Sequence, residues 1–333
     1  MPKKESIMTP IAIVLAAGKG TRMNSEILKV AHYVAGKPIV NYILDTLQQL
    51  SILDICLVIG HQADMVKKIT HRKGLTYVLQ EKQLGTAHAV RMAESYLKSH
   101  KDSDVIVLAG DCPLISVETL KNLMAIHQES NALGSILTTR MPDPDGYGRI
   151  LRGKMGTIMG IREAKDCTSK ELSINEVNTG IYCFKSHALL SALEHVKAEN
   201  KQQEYYLTDV VEILKSEGAV IQAYCSHNHG EVTGINTRMD LAKINEIIYE
   251  RNNIAFMKEG VTIIDPKTTF IDSTVTIGRD TIVYPFTMIQ GTAHIEARCQ
   301  IGPNTFIRNG NVAEGTVLPA FSHIDNGSDS KRI

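Results

Sequence analysis

IAIVLAAGKGTRM, residues 11–23, is an apolar run of strand length that breaks at once into a glycine turn. Six uncharged residues from Ile11 to Ala16 fit a strand buried on both faces. Gly18 and Gly20 follow directly, and glycine lets a backbone approach phosphate oxygens and aim its N–H groups at them. Arg22 adds charged hydrogen bonds for the same anions. The spacing is neither G-x-x-x-x-G-K-[ST] nor G-x-G-x-x-G, and a glycine turn taken alone is as readily structural as functional. Lys29, eleven residues after Gly18, can neutralise charge developing on a phosphate, or it can be a solvated surface lysine.

Outward from this turn the chain alternates strand and helix patterns. Helical spacing covers 39–50, an apolar strand 55–59, a helix the region near 87–97, a strand 105–109 and a helix the region near 117–127. This rhythm predicts an α/β fold, a mostly parallel doubly wound, Rossmann-like sheet covered on both faces, over residues 10–236. In such sheets ligands sit beyond the carboxyl ends of the strands, so the turn at Gly18–Arg22 and the pair Gly110–Asp111 should converge on one rim. Read alone, Asp111 also suits a helix cap.

After Asn236 the pattern changes. Leu241, Ile244, Ile247, Ile248 and Ala255 predict a linker helix over 237–258. Aliphatic residues then recur every sixth position at Ile271, Ile277, Val283, Ile289, Ile295, Ile301 and Ile307, with small residues four later at Thr281, Thr287, Ala293, Cys299 and Thr305. A period of six fits a triangular, left-handed β-helix, with aliphatic residues inside and small ones at the corners. We expect it over 259–320. The 42 residues from Ile271 to Val312 amount to a little over two coils at about 18 residues each. From Val317 the period is expected to lapse and the polar tail, 321–333, to fray.

Composition narrows the function. Lys+Arg and Asp+Glu both number 36, so no net field of one sign draws the chain to nucleic acid or an anionic membrane. No apolar run approaches a membrane span and Met1–Thr9 lacks the middle of a signal peptide, so a cytoplasmic protein acting on small molecules is expected. The six cysteines include no C-x-x-C pair and read as reduced, mostly buried thiols. The histidines form no H-x-x-x-H pair.

The turn, Lys29 and A-G-K-P at Ala35–Pro38 together resemble the N-acetylglucosamine-1-phosphate uridyltransferase family of sugar nucleotidyltransferases. Further segments agree in order: Q-x-x-Q-L-G-T-A from Gln80, G-D-C-P-L-I from Gly110, G-Y-G-R-I from Gly146, N-T-G-I from Asn178, E-Y-Y-L-T-D from Glu204 and G-I-N-T-R from Gly234. The resemblance implies magnesium-dependent transfer of a uridylyl group from UTP to N-acetylglucosamine 1-phosphate. It assigns the nucleotide to Leu15, Ala16, Ala17, Gly18, Lys29, Gln80, Gly85, Thr86 and Gly110, with the Gln80 amide on the uracil edge. It assigns the sugar to Gly148, Glu163, Asn178 and Thr179, magnesium to Asp111 and Asn236, and catalysis to Arg22, Lys29 and Asp111.

Three positions depart from the family pattern. Leu28 stands where a proline is usual, Ala109 where an aromatic precedes Gly-Asp, and Gln203 where glycine is common. The Ala109 change bears on sugar identity, so another sugar 1-phosphate or nucleoside triphosphate is the second reading; a non-catalytic assembly subunit is the third. Bifunctional members carry a longer β-helix that binds acetyl-CoA, so no acetyltransferase activity is expected here. The coil edge invites self-association into a homo-oligomer such as a trimer.

Overall fold

The computed structural model of the chain describes residues 9–327; the polar end at 328–333 and the leader reading of residues 1–8 lie outside them. Two compact units form. The first takes the chain up to Thr21, then Leu28–Ala31 and Val40–Gly234; the second takes Arg22–Ile27, His32–Ile39 and the chain from Ile235 onward.

In chain order the strands are β1 (Ile11–Ala16), β2 (Tyr33–Val34), β3 (Lys37–Pro38), β4 (Ile55–Ile59), β5 (Leu75–Leu79), β6 (Asp104–Ala109), β7 (Gly134–Arg140), β8 (Arg149–Arg152), β9 (Ile158–Arg162), β10 (Glu176–Lys185) and β11 (Ile221–Ser226). The first unit is built on the sheet β11-β7-β10-β6-β1-β4-β5, with β8 joined to β10 and β9. β1 runs parallel to β4 and β6, β4 to β5, and β7 to β11. The mostly parallel sheet is therefore as expected, except that β10 runs antiparallel to β6 and β7 and the β8–β9 hairpin hangs from it. Ile13, Val14, Leu57, Val58, Val107 and Leu108 are fully buried, as uncharged strands covered on both faces must be.

The helix expected near 87–97 is two short ones, Thr86–Arg91 and Glu94–Ser99. The N–H groups of Met92 and Ala93 reach back three residues, to Ala89 and Val90, which tightens the turn and breaks the axis. The helix Val117–Glu129 is capped by Ser116, whose hydroxyl accepts from the Thr119 N–H at 3.2 Å; Asp111 plays no part in it.

In the second unit β2 and β3 form a hairpin whose turn residues Ala35 and Gly36 have φ of 41° and 80°, as a two-residue turn of right-handed twist requires. A Cβ on Gly36 would stand 2.4 Å from the Asp272 carboxylate, so the tip admits only glycine. The linker helix Arg238–Lys258 starts in a capping box between Thr237 and Asp240.

Beyond it short parallel strands stack on three faces, four strands on two of them and three on the third, the arrangement of a left-handed β-helix. Ile271, Val283, Ile289, Ile295, Ile301 and Ile307 are fully buried inside it, and Thr281, Thr287, Thr305, Ala293 and Cys299 fill its corners. The first strand of the coil, Thr262–Ile263, falls within the expected 259–320, and the last, His323–Asp325, lies past its end. The period does not lapse after Val312. The step from Ile307 shortens once to five residues, and Leu318 and Ile324 resume the spacing of six. Gly310 sits at the shortened corner, where a Cβ would come 2.7 Å from Ile324 and 3.1 Å from Ile307.

Ile289→Ala should lower the stability of this unit by about 2–5 kcal/mol, because it opens a hole in a filled core. Urea unfolding measures it, and a change below about 1 kcal/mol would contradict the interdigitated interior.

Candidate active site

Three strand ends meet at the rim of the first unit. The Gly110 N–H, just past β6, donates to the Leu15 carbonyl at 2.9 Å, and a Cβ on Gly110 would lie 3.3 Å from that oxygen. After β4, a Cβ on Gly60 would lie 2.7 Å from the Ala17 carbonyl. Glycine at both places lets the turn after β1 lie flat between its neighbours.

Gly20 has φ of 62°, and a Cβ there would strike the Lys29 Cβ at 2.6 Å. The turn thus seats Lys29 against itself. The Lys29 ammonium makes an ion pair with the Asp111 carboxylate, both side chains being only 15% exposed. The Cys112 thiol alongside is pushed well up by burial and by the Asp111 charge, so it stays protonated.

The opposite wall is Gln80. Its backbone N–H donates to the Ile59 carbonyl at 2.7 Å, and its buried side-chain Nε2 reaches the Gly85 carbonyl at 3.2 Å and His88 Nδ1 at 2.9 Å. Gly85 has φ of 112° and is pressed on Tyr205, whose carbonyl a Cβ would meet at 2.4 Å. Segment 84–87 is zipped to 205–207: Tyr205 N–H to Leu84 O at 2.8 Å, Ala87 N–H to Tyr205 O at 2.9 Å and Leu207 N–H to Thr86 Oγ1 at 2.9 Å. Between these walls lies a cleft of about 270 Å³ lined by Leu15, Ala16, Ala17, Gly18, Lys29, Gln80, Gly85, Thr86 and Asp111. Ala109, Gln83 and Glu204 complete the lining.

The residues assigned to the sugar group around the bulge in β10. The Asn178 N–H donates to the Gly148 carbonyl at 2.8 Å, and a Cβ on Gly148 would lie 3.5 Å from Glu163 Oε2. Asn178 Nδ2 donates to the Tyr182 hydroxyl at 2.6 Å, and Asn178 Oδ1 accepts from the Gly180 N–H at 3.2 Å, which fixes the amide orientation. The Thr179 hydroxyl donates to the Leu137 carbonyl at 2.7 Å and holds the bulge to β7.

Glu163 Oε1 accepts from the Thr208 hydroxyl at 3.2 Å, and burial raises the Glu163 pKa. Burial, then Glu212 and Glu163, push Asp209 up to about 6. Glu163, Asp166, Asp209 and Glu212 line a second cavity of about 490 Å³. It is the larger of the two, but with Glu199 its five carboxylates outnumber Arg162 and Lys197 and disfavour a triphosphate; the smaller cleft, with its glycine turn and Lys29, suits one.

Arg22 and Asn236 belong to the second unit, where Arg22 Nη2 donates to Asn236 Oδ1 at 3.0 Å. The Asn236 N–H is held by Asp240 Oδ2 at 3.0 Å, and Arg238 Nε donates to the Met23 carbonyl at 3.2 Å. Among the described residues no group of three or more His, Cys, Asp or Glu is placed to hold a metal. A magnesium ion that arrives with phosphates needs only one or two hard protein oxygens. Asp111 offers hard oxygens of that kind: its Oδ1 accepts from the Cys112 thiol at 3.5 Å, and a Cβ on Gly234 would come 3.4 Å from it.

The departures have local explanations. The Leu28 N–H donates to Gln62 Oε1 at 3.3 Å, a bond proline cannot make. Gln203 keeps the left-handed φ, 55°, that glycine would adopt freely. Gln83, His88, Tyr205 and Thr208 were not singled out in the sequence as site residues, although Gln83, Tyr205 and Thr208 lie in segments quoted for the resemblance and His88 directly follows one. Their spacing shows that the segments match but not which side chains turn inward.

A family model described as nucleotidyl transferase matches residues 11–241. The chain is 43% identical to the bifunctional protein GlmU of Shouchella clausii, over 96% of this chain and 73% of that one. With the GlmU proteins of Clostridioides difficile and Exiguobacterium sibiricum it shares 44% and 45% identity, over 95% and 93% of this chain and 68% and 69% of theirs. Among the described residues no helix is long and apolar enough to cross a membrane.

Asp209 gives a pH-dependent test. The folded state holds the proton up to about pH 6, whereas the ordinary value is 3.8, so the group favours folding below 3.8 and that advantage is lost as pH rises through 6. Asp209→Asn should therefore be more stable than the parent at about pH 8 and equal to it near pH 4, by thermal unfolding at both values. An equal difference at both pH values contradicts the raised pKa.

Proposed function

The chain belongs to the GlmU-type family of nucleotidyltransferases, and from that premise we propose that it transfers the uridylyl group of UTP to N-acetylglucosamine 1-phosphate with magnesium, giving UDP-N-acetylglucosamine and pyrophosphate. The observation that supports it most is the Lys29–Asp111 pair at a cleft walled by the glycine turn and the Gln80 amide. Cation, hard acid and backbone donors are what a triphosphate needs, and nothing in a purely structural module requires them together.

The backbone of Leu15, Ala16, Ala17 and Gly18 holds the triphosphate with Gly110, and Gln80, Gly85 and Thr86 hold the base. A phosphate oxygen of the sugar 1-phosphate attacks the α-phosphorus in line. The new P–O bond forms as the bond to the β-phosphate oxygen breaks, and pyrophosphate leaves with that electron pair. The nucleophile is already an anion, so no side chain has to take a proton. Lys29 and Arg22 stabilise the charge that builds on the phosphates. Asp111 and Asn236 are the assigned magnesium ligands, and the bound ion supplies further charge neutralisation. Gly148, Glu163, Asn178 and Thr179 take the sugar, Glu163 accepting from ring hydroxyls.

A different sugar 1-phosphate is the second reading, favoured by Ala109, which lines the cleft with a methyl group where an aromatic ring is usual in the family. Pyrophosphate release across a panel of sugar phosphates and nucleoside triphosphates tests both, with UTP and N-acetylglucosamine 1-phosphate expected to turn over fastest. Turnover with none of the panel would favour an assembly role instead.

Asp111→Ala should lower kcat on the order of 10²-fold or more with circular dichroism unchanged, and chelation of divalent ions should stop the parent enzyme. Near-normal turnover of the folded variant refutes the assignment. The expected lack of acetyl transfer is tested on the same protein; release of CoA from acetyl-CoA in the presence of glucosamine 1-phosphate overturns it.

A further inference from the structure

We propose that His88 is a positioning residue that sets base specificity, by locking the Gln80 amide so that only its oxygen is offered to the nucleobase. The inference rests on the uridylyl reading and deepens it. An amide side chain carries two N–H donors and one oxygen. Both donors of Gln80 are engaged within the protein, one by the Gly85 carbonyl at 3.2 Å and one by His88 Nδ1 at 2.9 Å. Gln80 Oε1 has no partner among the described residues, and the side chain lines the cleft. The reading atom is therefore an acceptor.

An acceptor matches the N3–H of uracil and opposes the N3 lone pair of cytosine. To read cytosine the amide would have to flip, which would set its oxygen against the Gly85 carbonyl and the imidazole lone pair together. Gly85 cannot give way, and the imidazole would have to move its proton from Nε2 to Nδ1. Gly85 is held on Tyr205, and its φ of 112° is open only to glycine. His88 lies on the helix Thr86–Arg91, one turn before Arg91.

His88 accepts at Nδ1 only while neutral, with its proton on Nε2. Burial, then the Arg91 charge, hold its pKa below the ordinary imidazole value. That charge is fixed in place: the Arg91 guanidinium donates to the carbonyls of Leu193, at 3.0 Å from Nε, and Val196, at 2.8 Å, and lies 4.8 Å from the centre of the Tyr205 ring. The same arginine that braces segment 84–91 against Tyr205 thus keeps the imidazole neutral, the state in which Nδ1 can accept from the Gln80 amide.

The test is steady-state kinetics with UTP and CTP on the full chain and three variants. His88→Ala and His88→Leu remove the acceptor, the second while filling the space. His88→Asn restores an acceptor oxygen near the position of Nδ1. The first two should raise the KM for UTP and narrow the UTP:CTP ratio of kcat/KM by about tenfold or more, with kcat at saturating UTP within about threefold of the parent. His88→Asn should recover most of the ratio. A merely structural role would lower kcat for both nucleotides and leave the ratio alone. A parent enzyme selective for UTP whose ratio survives His88→Ala or His88→Leu overturns this inference while the uridylyl reading stands. So does His88→Asn losing as much selectivity as His88→Leu. A parent that uses CTP as well as UTP overturns the uridylyl reading and this inference with it.

Discussion

The ion pair between Lys29 and Asp111 joins two loops that follow different strands of one sheet. Each charge is largely removed from water, so removing either partner would leave the other poorly compensated, and both loops are held in place by that constraint. Lys29 can reach Asp111 because Gly20 has no side chain to push it away, and Asp111 stands at the rim because Gly110 lets β6 end hard against Leu15. Two missing Cβ atoms therefore decide where the charges sit. The acid keeps the lysine at the cleft and compensates its charge there.

The remainder of the first unit supports this rim with backbone bonds. The zipper between segments 84–87 and 205–207 joins the Gln80 wall to the strip that carries Thr208, and Thr208 in turn donates to Glu163. The surroundings of the two sets of residues differ. The phosphate side is lined by glycine turns and a paired lysine; the Glu163 side gathers carboxylates whose pKa values are raised by burial and mutual repulsion. One environment favours anions and the other disfavours them, so the two sides of the unit differ in the charge that they accept.

In the second unit a simpler rule operates. One inward aliphatic residue per hexapeptide builds a continuous core, and the rule survives a deletion of one residue because Gly310 can occupy a corner too tight for any Cβ. A strict count of sixes stops at Ile307; the structure keeps the ladder going by shifting its phase. The split of the helix near residue 92 has a similar origin, since backbone bonding over three residues instead of four leaves the apolar spacing almost unchanged while breaking the axis.

Periodicity and glycine placement, read without coordinates, were enough for the strands β1 and β4, the parallel sheet, the linker helix and the coil, because burial imposes its period directly on residue type. The glycine turn with Lys29 and Asp111 was legible for the same reason: few other residues satisfy close backbone approach and charge at once. Side-chain direction was not legible. Thr179 sits in a matching motif yet turns to Leu137, Asp111 sits before a helix yet leaves its cap to Ser116, and His88 carries no motif of its own yet governs the Gln80 amide. Which way a side chain faces depends on a bulge, a hydrogen-bond partner far away in sequence or a neighbour one helical turn away, and only packing in three dimensions determines those.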